Sequence, residues 1–406
     1  MQKACINKEL LDSANGGGFL EEINMHIHDI REKLVAGVFY LMRLFPIKKN
    51  KVVVVSYLGN GYGDNAKYII KELLSQTKKY DVVWLTRKKE QRFPAGVRTV
   101  VYGSLKSIYE QCTAKVWIDN KRKPGYVRKR KEQYYINTWH GNTVLKRVEK
   151  DAVGVLPYYY INAAKRDSKM ADVYLSSGKW DTHIYRTAFW YDGEIVECGY
   201  PRQDILFQND KEQKEKIKSG LGIGPEEKIL LYAPTFRSGD RAGDTSVYAL
   251  NYKETLQALE RRFGGVWRGI VRLHPNVAAL GDRLCIPSEV LNVTNYSDMQ
   301  ELMLIADCVI SDYSSSITEA GAAGKPGFIF ATDYELYMKE RNVYFAFEEL
   351  PFPVSKSNEE LIEQIESFNI EGYADKCRHF YNDICGINRE GKAAKTVTEL
   401  IKKATK

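Results

Sequence analysis

Two histidines stand in company that suits them to phosphoryl chemistry, one in Thr138-Trp139-His140-Gly141-Asn142-Thr143 and one in Arg272-Leu273-His274-Pro275. Each follows a short β-prone run, and each lies in a different half of the chain. In open α/β sheets, ligands bind beyond the carboxyl ends of strands, so the pair predicts one site assembled from two domains. A neutral imidazole can take a proton from an attacking hydroxyl, and a second can donate to a phosphate oxygen or a leaving group. Gly141 lets a substrate approach the His140 ring closely, while Lys146 and Arg147 follow with charge for a phosphate. The remaining histidines, His26, His28, His183 and His379, read as surface or packing residues.

Three further segments carry anion chemistry. The run Cys308–Ser311 reads as a strand that enters Asp312-Tyr313-Ser314-Ser315-Ser316 and then a helix bearing Glu319. Unpaired N–H groups at a helix start favour an anion, and serine hydroxyls add donors. Glu319 is placed to accept from a ribose, although the serines and Glu319 would equally serve as helix caps. In Ile229 to Arg237, a buried strand ends in Thr235 and in Arg237, a guanidinium shaped to hold a diphosphate bidentately. The basic run Lys121 to Lys131 supplies Arg122, Lys123, Arg128 and Arg130, which suit an anionic headgroup or a phosphate-bearing acceptor, or form a solvated loop. It lacks the framework of a nucleic-acid reader. Gly59-Asn60-Gly61-Tyr62-Gly63 only imitates a phosphate loop, and no Asp-x-Asp element is present, so neither a metal nor a cofactor is expected.

The elements that must hold these residues alternate. Strand-like runs from Val52 to Cys198, with helical stretches between several of them, predict a parallel sheet, and a second αβ series runs from Ile229 to Ala331. Residues 1–50 form an N-terminal segment in which Ile30 to Phe45 shows helical apolar spacing, a helix either docked on its own domain or lying in a membrane interface. Residues 51–207 and 208–372 read as two Rossmann-like domains, and 373–406 as C-terminal helices. The 406 residues carry 60 Lys+Arg against 52 Asp+Glu, a net charge of +8 that favours anionic partners. Seven scattered cysteines without a CxxC pair indicate neither a disulfide framework nor a structural zinc. No signal pattern is present, and no apolar run reaches the roughly 20 residues of a spanning helix, so a cytoplasmic, peripheral protein is expected.

Together, Thr138-Trp139-His140-Gly141, Glu197-Cys198-Gly199-Tyr200-Pro201-Arg202-Gln203-Asp204, Tyr232 to Arg237, Arg272-Leu273-His274-Pro275 and Ser311-Asp312-Tyr313-Ser314-Ser315 resemble the CDP-glycerol glycerophosphotransferase family of teichoic-acid synthesis, in order and spacing. The resemblance implies an α/β, GT-B-like pair of Rossmann domains facing a central cleft. It implies transfer of a polyol phosphate from CDP-glycerol or CDP-ribitol to a hydroxyl of a polyprenyl-diphosphate-linked saccharide at the cytoplasmic membrane face, with release of CMP. His140 would then be the base near the acceptor and, with His274, form the expected catalytic pair. His274, Gly141, Asn142, Thr143, Arg202, Thr235, Arg237, Arg272, Asp312, Ser314, Ser315, Ser316 and Glu319 would line the substrate site. The short chain favours a primase-like step. A GT-B glycosyltransferase or sugar-nucleotide epimerase, and a non-catalytic binder of anionic lipid, are the competing readings.

Overall fold

The computed structural model describes residues 29–87, 93–208, 210–235, 237, 244–274, 286–340 and 342–406. Two all-parallel sheets organise the chain. The first comprises β1 (Lys48–Val55), β2 (Asp81–Thr86), β3 (Val97–Val101), β4 (Ala114–Asp119), β5 (Tyr134–Asn137), β6 (Val173–Ser176) and β7 (Glu194–Glu197), in the spatial order β3-β2-β1-β4-β5-β6-β7. The second comprises β8 (Lys228–Tyr232), β9 (Trp267–Val271), β10 (Leu291–Asn292), β11 (Cys308–Ser311), β12 (Gly327–Phe330) and β13 (Val354–Ser355), in the order β10-β9-β8-β11-β12-β13.

The β1 sequence explains why its sheet is covered on both faces. Parallel strands need helical crossovers, which put helices on each side and favour continuous apolar runs. Val52 to Val55 is such a run, and the period of two sends Val53 and Val55 into one core with Trp117 and Tyr135. Val52 and Val54 enter another with Ile69 and Leu73. In both sheets the strand order reverses beside the first strand, between β1 and β4 and between β8 and β11. Open α/β folds bind ligands at such switch points.

The predicted C-terminal helical unit is divided between the domains. Tyr373, Cys377, Phe380 and Tyr381 pack into the core of the second sheet, whereas the helix Ala393–Ala404 returns to the first and buries Val397 and Ile401 against Val52 and Val54. Its start is held by the Asp204 carboxylate, which accepts from the Ala393 and Ala394 N–H groups at 3.0 and 2.8 Å. Among the described residues, no helix is long and apolar enough to cross a membrane.

The N-terminal helix runs over residues 29–42 and has two apolar sides. Val35, Val38, Phe39 and Met42 pack onto the first domain, with Phe39 wholly buried. Ile30, Leu34 and Leu41, spaced at i, i+4 and i+11, remain in solvent, Leu34 at 69% and Leu41 at 65% exposure. The expected single stripe is therefore split between docking and exposure. The earlier part of the N-terminal segment, 1–28, lies outside the described residues.

Candidate active site between the two sheets

The carboxyl edge of the first sheet presents His140, Tyr57, Asp64, Asn120 and Lys121. The His140 Nδ1 lies 2.7 Å from the Asn120 carbonyl oxygen. A carbonyl can only accept, so the proton belongs on Nδ1 and the Nε2 lone pair is left as the basic site. Nε2 faces the Lys121 Nζ at 3.3 Å, and the ring meets Tyr57 edge-on with centroids 5.9 Å apart. Burial and the Lys121 cation hold the His140 pKa down to about 3, against the opposing pull of the Asn120 hydrogen bond and the Asp64 charge. The imidazole is neutral at any physiological pH.

Local backbone strain concentrates at this edge. Tyr57, Leu58, Asp64 and Trp139 all have positive φ, between 44° and 56°, a region costly for residues with a Cβ and one that collects at functional sites. Hydrogen bonds over-determine the conformation: Asn65 Nδ2 donates to the Trp139 carbonyl at 3.1 Å, Asn120 Nδ2 to Asp64 at 2.6 Å, and the Tyr57 N–H to Asn120 Oδ1 at 2.8 Å. Tyr57, Asp64 and Asn120 were not singled out from the sequence, and Lys121 entered only as the first residue of the basic run. For Tyr57 and Asp64 the signal was the glycine run from Gly59 to Gly63, directly after β1 at the switch point.

The second sheet contributes the start of the helix Ser315–Ala322. Ser314 is its cap, accepting from the Ser316 N–H at 3.2 Å, and the Ser314 and Ser316 hydroxyls lie 2.9 Å apart. A Cβ built on Gly141 would sit 3.4 Å from the Ser315 Oγ and 3.5 Å from Arg202 Nη2. The His140 turn and this helix start thus form one surface. Asn142 and the Thr318 hydroxyl bond across it at 2.9 Å. Arg202, from the turn after β7, donates to Asp64 at 2.9 Å and to the His140 carbonyl at 3.0 Å, and its other terminal nitrogen pairs with Glu319. Lys67 adds a bridge to Asp298 at 2.6 Å.

Several predicted roles change. Glu319 is buried between Arg202 and Gln300, whose amide donates to it at 2.8 Å. Its carboxylate is a cross-domain anchor, not a free acceptor for ribose. Arg237 is likewise consumed: Asp333 takes its Nε and Nη2 at 2.7 and 2.9 Å, and Asp312 takes its Nη1 at 2.8 Å. Asp312 also accepts from the Thr235 N–H and hydroxyl at 2.8 and 3.0 Å, so these residues shape the β8 and β11 loops. Thr143 spends its N–H and hydroxyl on Asp181 at 2.8 and 2.6 Å. Arg122 lies inside the first domain, paired with Glu149 at 3.0 Å and Asp167 at 3.2 Å, and Lys123 is buried on Asp119 at 2.7 Å. Neither belongs to a solvated loop. Arg128 bonds the Gly125 and Val127 carbonyls at 2.6 and 2.9 Å, and Arg130 ties the loop to the Phe45 carbonyl at 2.8 Å. The carboxylates that claim Arg237 and Arg122 lie far away in sequence, which hid these pairings.

What remains available is positive. Arg272 Nη1 is buried and has no hydrogen-bond partner among the described residues, and burial pulls the pKa of the guanidinium down. Arg272 is within electrostatic reach of Tyr57 across the cleft. His274 is held below its ordinary pKa by burial, then by Lys146 and Arg272. Lys146, from the first domain, is thus within electrostatic reach of His274, from the second. Cations already fixed in partly buried positions stabilise an anion better than water does, because they need not reorganise to meet it. Among the described residues, no group of three or more His, Cys, Asp or Glu side chains could hold a metal ion.

The sequence and the fold have known counterparts. Residues 38–403 match the family described as CDP-Glycerol:Poly(glycerophosphate) glycerophosphotransferase. The teichoic acid poly(glycerol phosphate) polymerase of Staphylococcus epidermidis is 31% identical over 89% of this chain and 51% of its own length. The chain therefore spans about half of that relative. The polymerase of the same name from Bacillus spizizenii is 30% identical over 94% of this chain and 99% of its own. The solved structure of a histidine-to-alanine variant of the wall teichoic acid polymerase TagF superposes with a TM-score of 0.80, at 29% identity over 94% of this chain and 96% of that one. The expected GT-B-like pairing of two parallel sheets is the observed architecture. By its sequence over nearly its whole length and by its fold, the chain belongs to the CDP-glycerol:poly(glycerophosphate) glycerophosphotransferase family, among the transferases of teichoic acid synthesis.

Proposed function

We propose that the protein transfers glycerol phosphate from CDP-glycerol to a hydroxyl of a polyprenyl-linked acceptor at the cytoplasmic face of the membrane, releasing CMP. The observation that carries this reading is the buried Arg272 Nη1, which has no hydrogen-bond partner among the described residues and lies, with Lys146, within electrostatic reach of His274. A diphosphate satisfies that nitrogen and repays its desolvation. The acceptor oxygen forms a bond to the phosphorus that carries glycerol, the bond from that phosphorus to the CMP oxygen breaks with its electron pair, and the acceptor proton passes to His140 Nε2. Charge spreads over the phosphoryl oxygens, so positioning and fixed cations supply most of the catalysis. Arg272, Lys146, the His274 ring N–H and the Ser315–Ala322 helix start are the groups placed to receive it.

Glycerol is favoured over ribitol because the two relatives named above are glycerol phosphate polymerases. Chain length does not favour a primase-like step, since the B. spizizenii polymerase is spanned almost entirely. The test is CMP release with CDP-glycerol and, separately, CDP-ribitol, on a lipid-linked disaccharide. Release with CDP-glycerol is expected, and product length separates addition of one unit from extension. Release with neither donor overturns the reading.

A further inference from the structure

Among the described residues, no carboxylate forms an ion pair with the Lys121 ammonium. The carboxylates whose charge reaches it are Asp64, Asp119 and Glu149, and each is claimed by another cation: Asp64 by Arg202 at 2.9 Å, Asp119 by Lys123 at 2.7 Å, and Glu149 by Arg122 at 3.0 Å. Among the described residues, the Nζ is left with two neighbours, His140 Nε2 at 3.3 Å and the Tyr57 ring, whose centroid lies 5.5 Å away. A largely desolvated ammonium that rests on an imidazole lone pair exchanges that contact readily for an anionic oxygen, because the oxygen adds the attraction of an opposite charge, which a neutral lone pair lacks.

We propose that Lys121 is a substrate-displaced cap on the His140 base: without donor substrate its ammonium occupies Nε2, and on arrival of the diphosphate it moves to a non-bridging oxygen of the phosphoryl group under attack. One movement uncovers the base and neutralises the group being transferred. The reaction balances as before, with the acceptor proton going to the uncovered Nε2 and the electron pair to CMP. This inference rests on the proposed function and assigns Lys121 the place a divalent cation holds in many phosphoryl transfers.

The electrostatic surroundings agree in sign. The groups facing His140 are Tyr57 and Asp64 from the loop after β1, Lys121 from the loop after β4, and Arg202 from the turn after β7, with Glu319 behind it. Lys121 and Arg202 disfavour the imidazolium and Asp64 favours it. Departure of the ammonium and arrival of a diphosphate therefore both raise the basicity of the imidazole.

The test follows CMP release across pH for the wild type, Lys121→Met, Lys121→Arg and His140→Ala, with thermal melts to confirm folding. The acid limb of kcat/KM reports the free enzyme and that of kcat the substrate complex. Lys121→Met should lose about 100-fold in kcat, as removal of one transition-state donor does. Its kcat/KM acid limb should rise in pH, since the free imidazole has lost a repelling cation. Lys121→Arg should keep the wild-type limb. A folded Lys121→Met variant with unchanged kcat or an unmoved limb overturns the role of Lys121 alone, provided His140→Ala is inactive. An active His140→Ala overturns the underlying function instead.

Discussion

The most consequential single contact is Arg202 between Asp64 and Glu319, because it joins the His140 edge to the helix that faces it. Its side chain is 9% exposed, and those of Asp64 and Glu319 are 3% and 2% exposed. Loss of one member of a buried ionic set leaves charge without compensation and costs about 3–5 kcal/mol. Arg202→Met leaves two buried carboxylates, so about 4 kcal/mol is expected. At 2–4 °C per kcal/mol for domains of this size, the melting midpoint should fall by about 8–16 °C. Glu319→Gln keeps the shape and leaves Arg202 with Asp64, for a loss of about 2 kcal/mol. In the double variant Glu319→Gln removes one of the stranded charges, so the cost should stay near that of Arg202→Met, a coupling of about 2 kcal/mol. The assay is thermal unfolding of all four proteins, followed by tryptophan fluorescence. Strict additivity would refute the argument. So would a Glu319→Gln variant of wild-type stability that binds CDP-glycerol tenfold more weakly, which would restore the ribose contact expected from the sequence.

Other consequences are independent of that contact. Lys51 is wholly buried on Glu110 at 2.6 Å, with Arg98 on the other carboxylate oxygen, and these cations hold the Glu110 pKa down to about 2 against burial. A depressed carboxylate pKa gives stability that is present above about pH 4.5 and is lost as pH falls toward 2, about 3 kcal/mol here. Acid unfolding of Glu110→Gln should accordingly show a weaker pH dependence in that window. Phe39→Ala on the docked side of the N-terminal helix should cost about 3–5 kcal/mol, whereas Leu34→Ser or Leu41→Ser on its exposed side should stay within about 0.5 kcal/mol. Denaturant midpoints check both. Asp204→Ala uncaps the helix Ala393–Ala404 and should cost about 1–2 kcal/mol, with Asp204→Asn largely restoring it. Hydrogen exchange in that helix reads the effect locally.

The sheets were legible because parallel strands covered on both faces are runs of valine, isoleucine and leucine, and Val52 to Val55 and Cys308 to Ser311 show this without ambiguity. The two-residue β13 carries no such pattern. The return of Ala393–Ala404 to the first sheet was also hidden, since an amphipathic helix does not state which core it covers. Strand ends were informative about proximity: Gly141 lies against Ser315 and Arg202, and Asn142 bonds Thr318 across the two domains. Cations were misread where their partners lie far away in sequence. Arg237 meets Asp333, and Arg122 meets Glu149 and Asp167, pairings that the fold alone creates. Lys121 stood in the same basic run as Arg122 and Lys123, yet it is the member that reaches the histidine.

The central claim is that His140, neutral and with Nε2 as its basic site, accepts the proton of the attacking hydroxyl. The direct measurement is the rate of CMP release from CDP-glycerol, with a lipid-linked disaccharide acceptor, by wild type and His140→Ala at saturating donor. Loss of a general base predicts a kcat lower by about 10²–10⁴-fold with the melting midpoint retained. A folded His140→Ala protein that releases CMP at the wild-type rate would contradict the account.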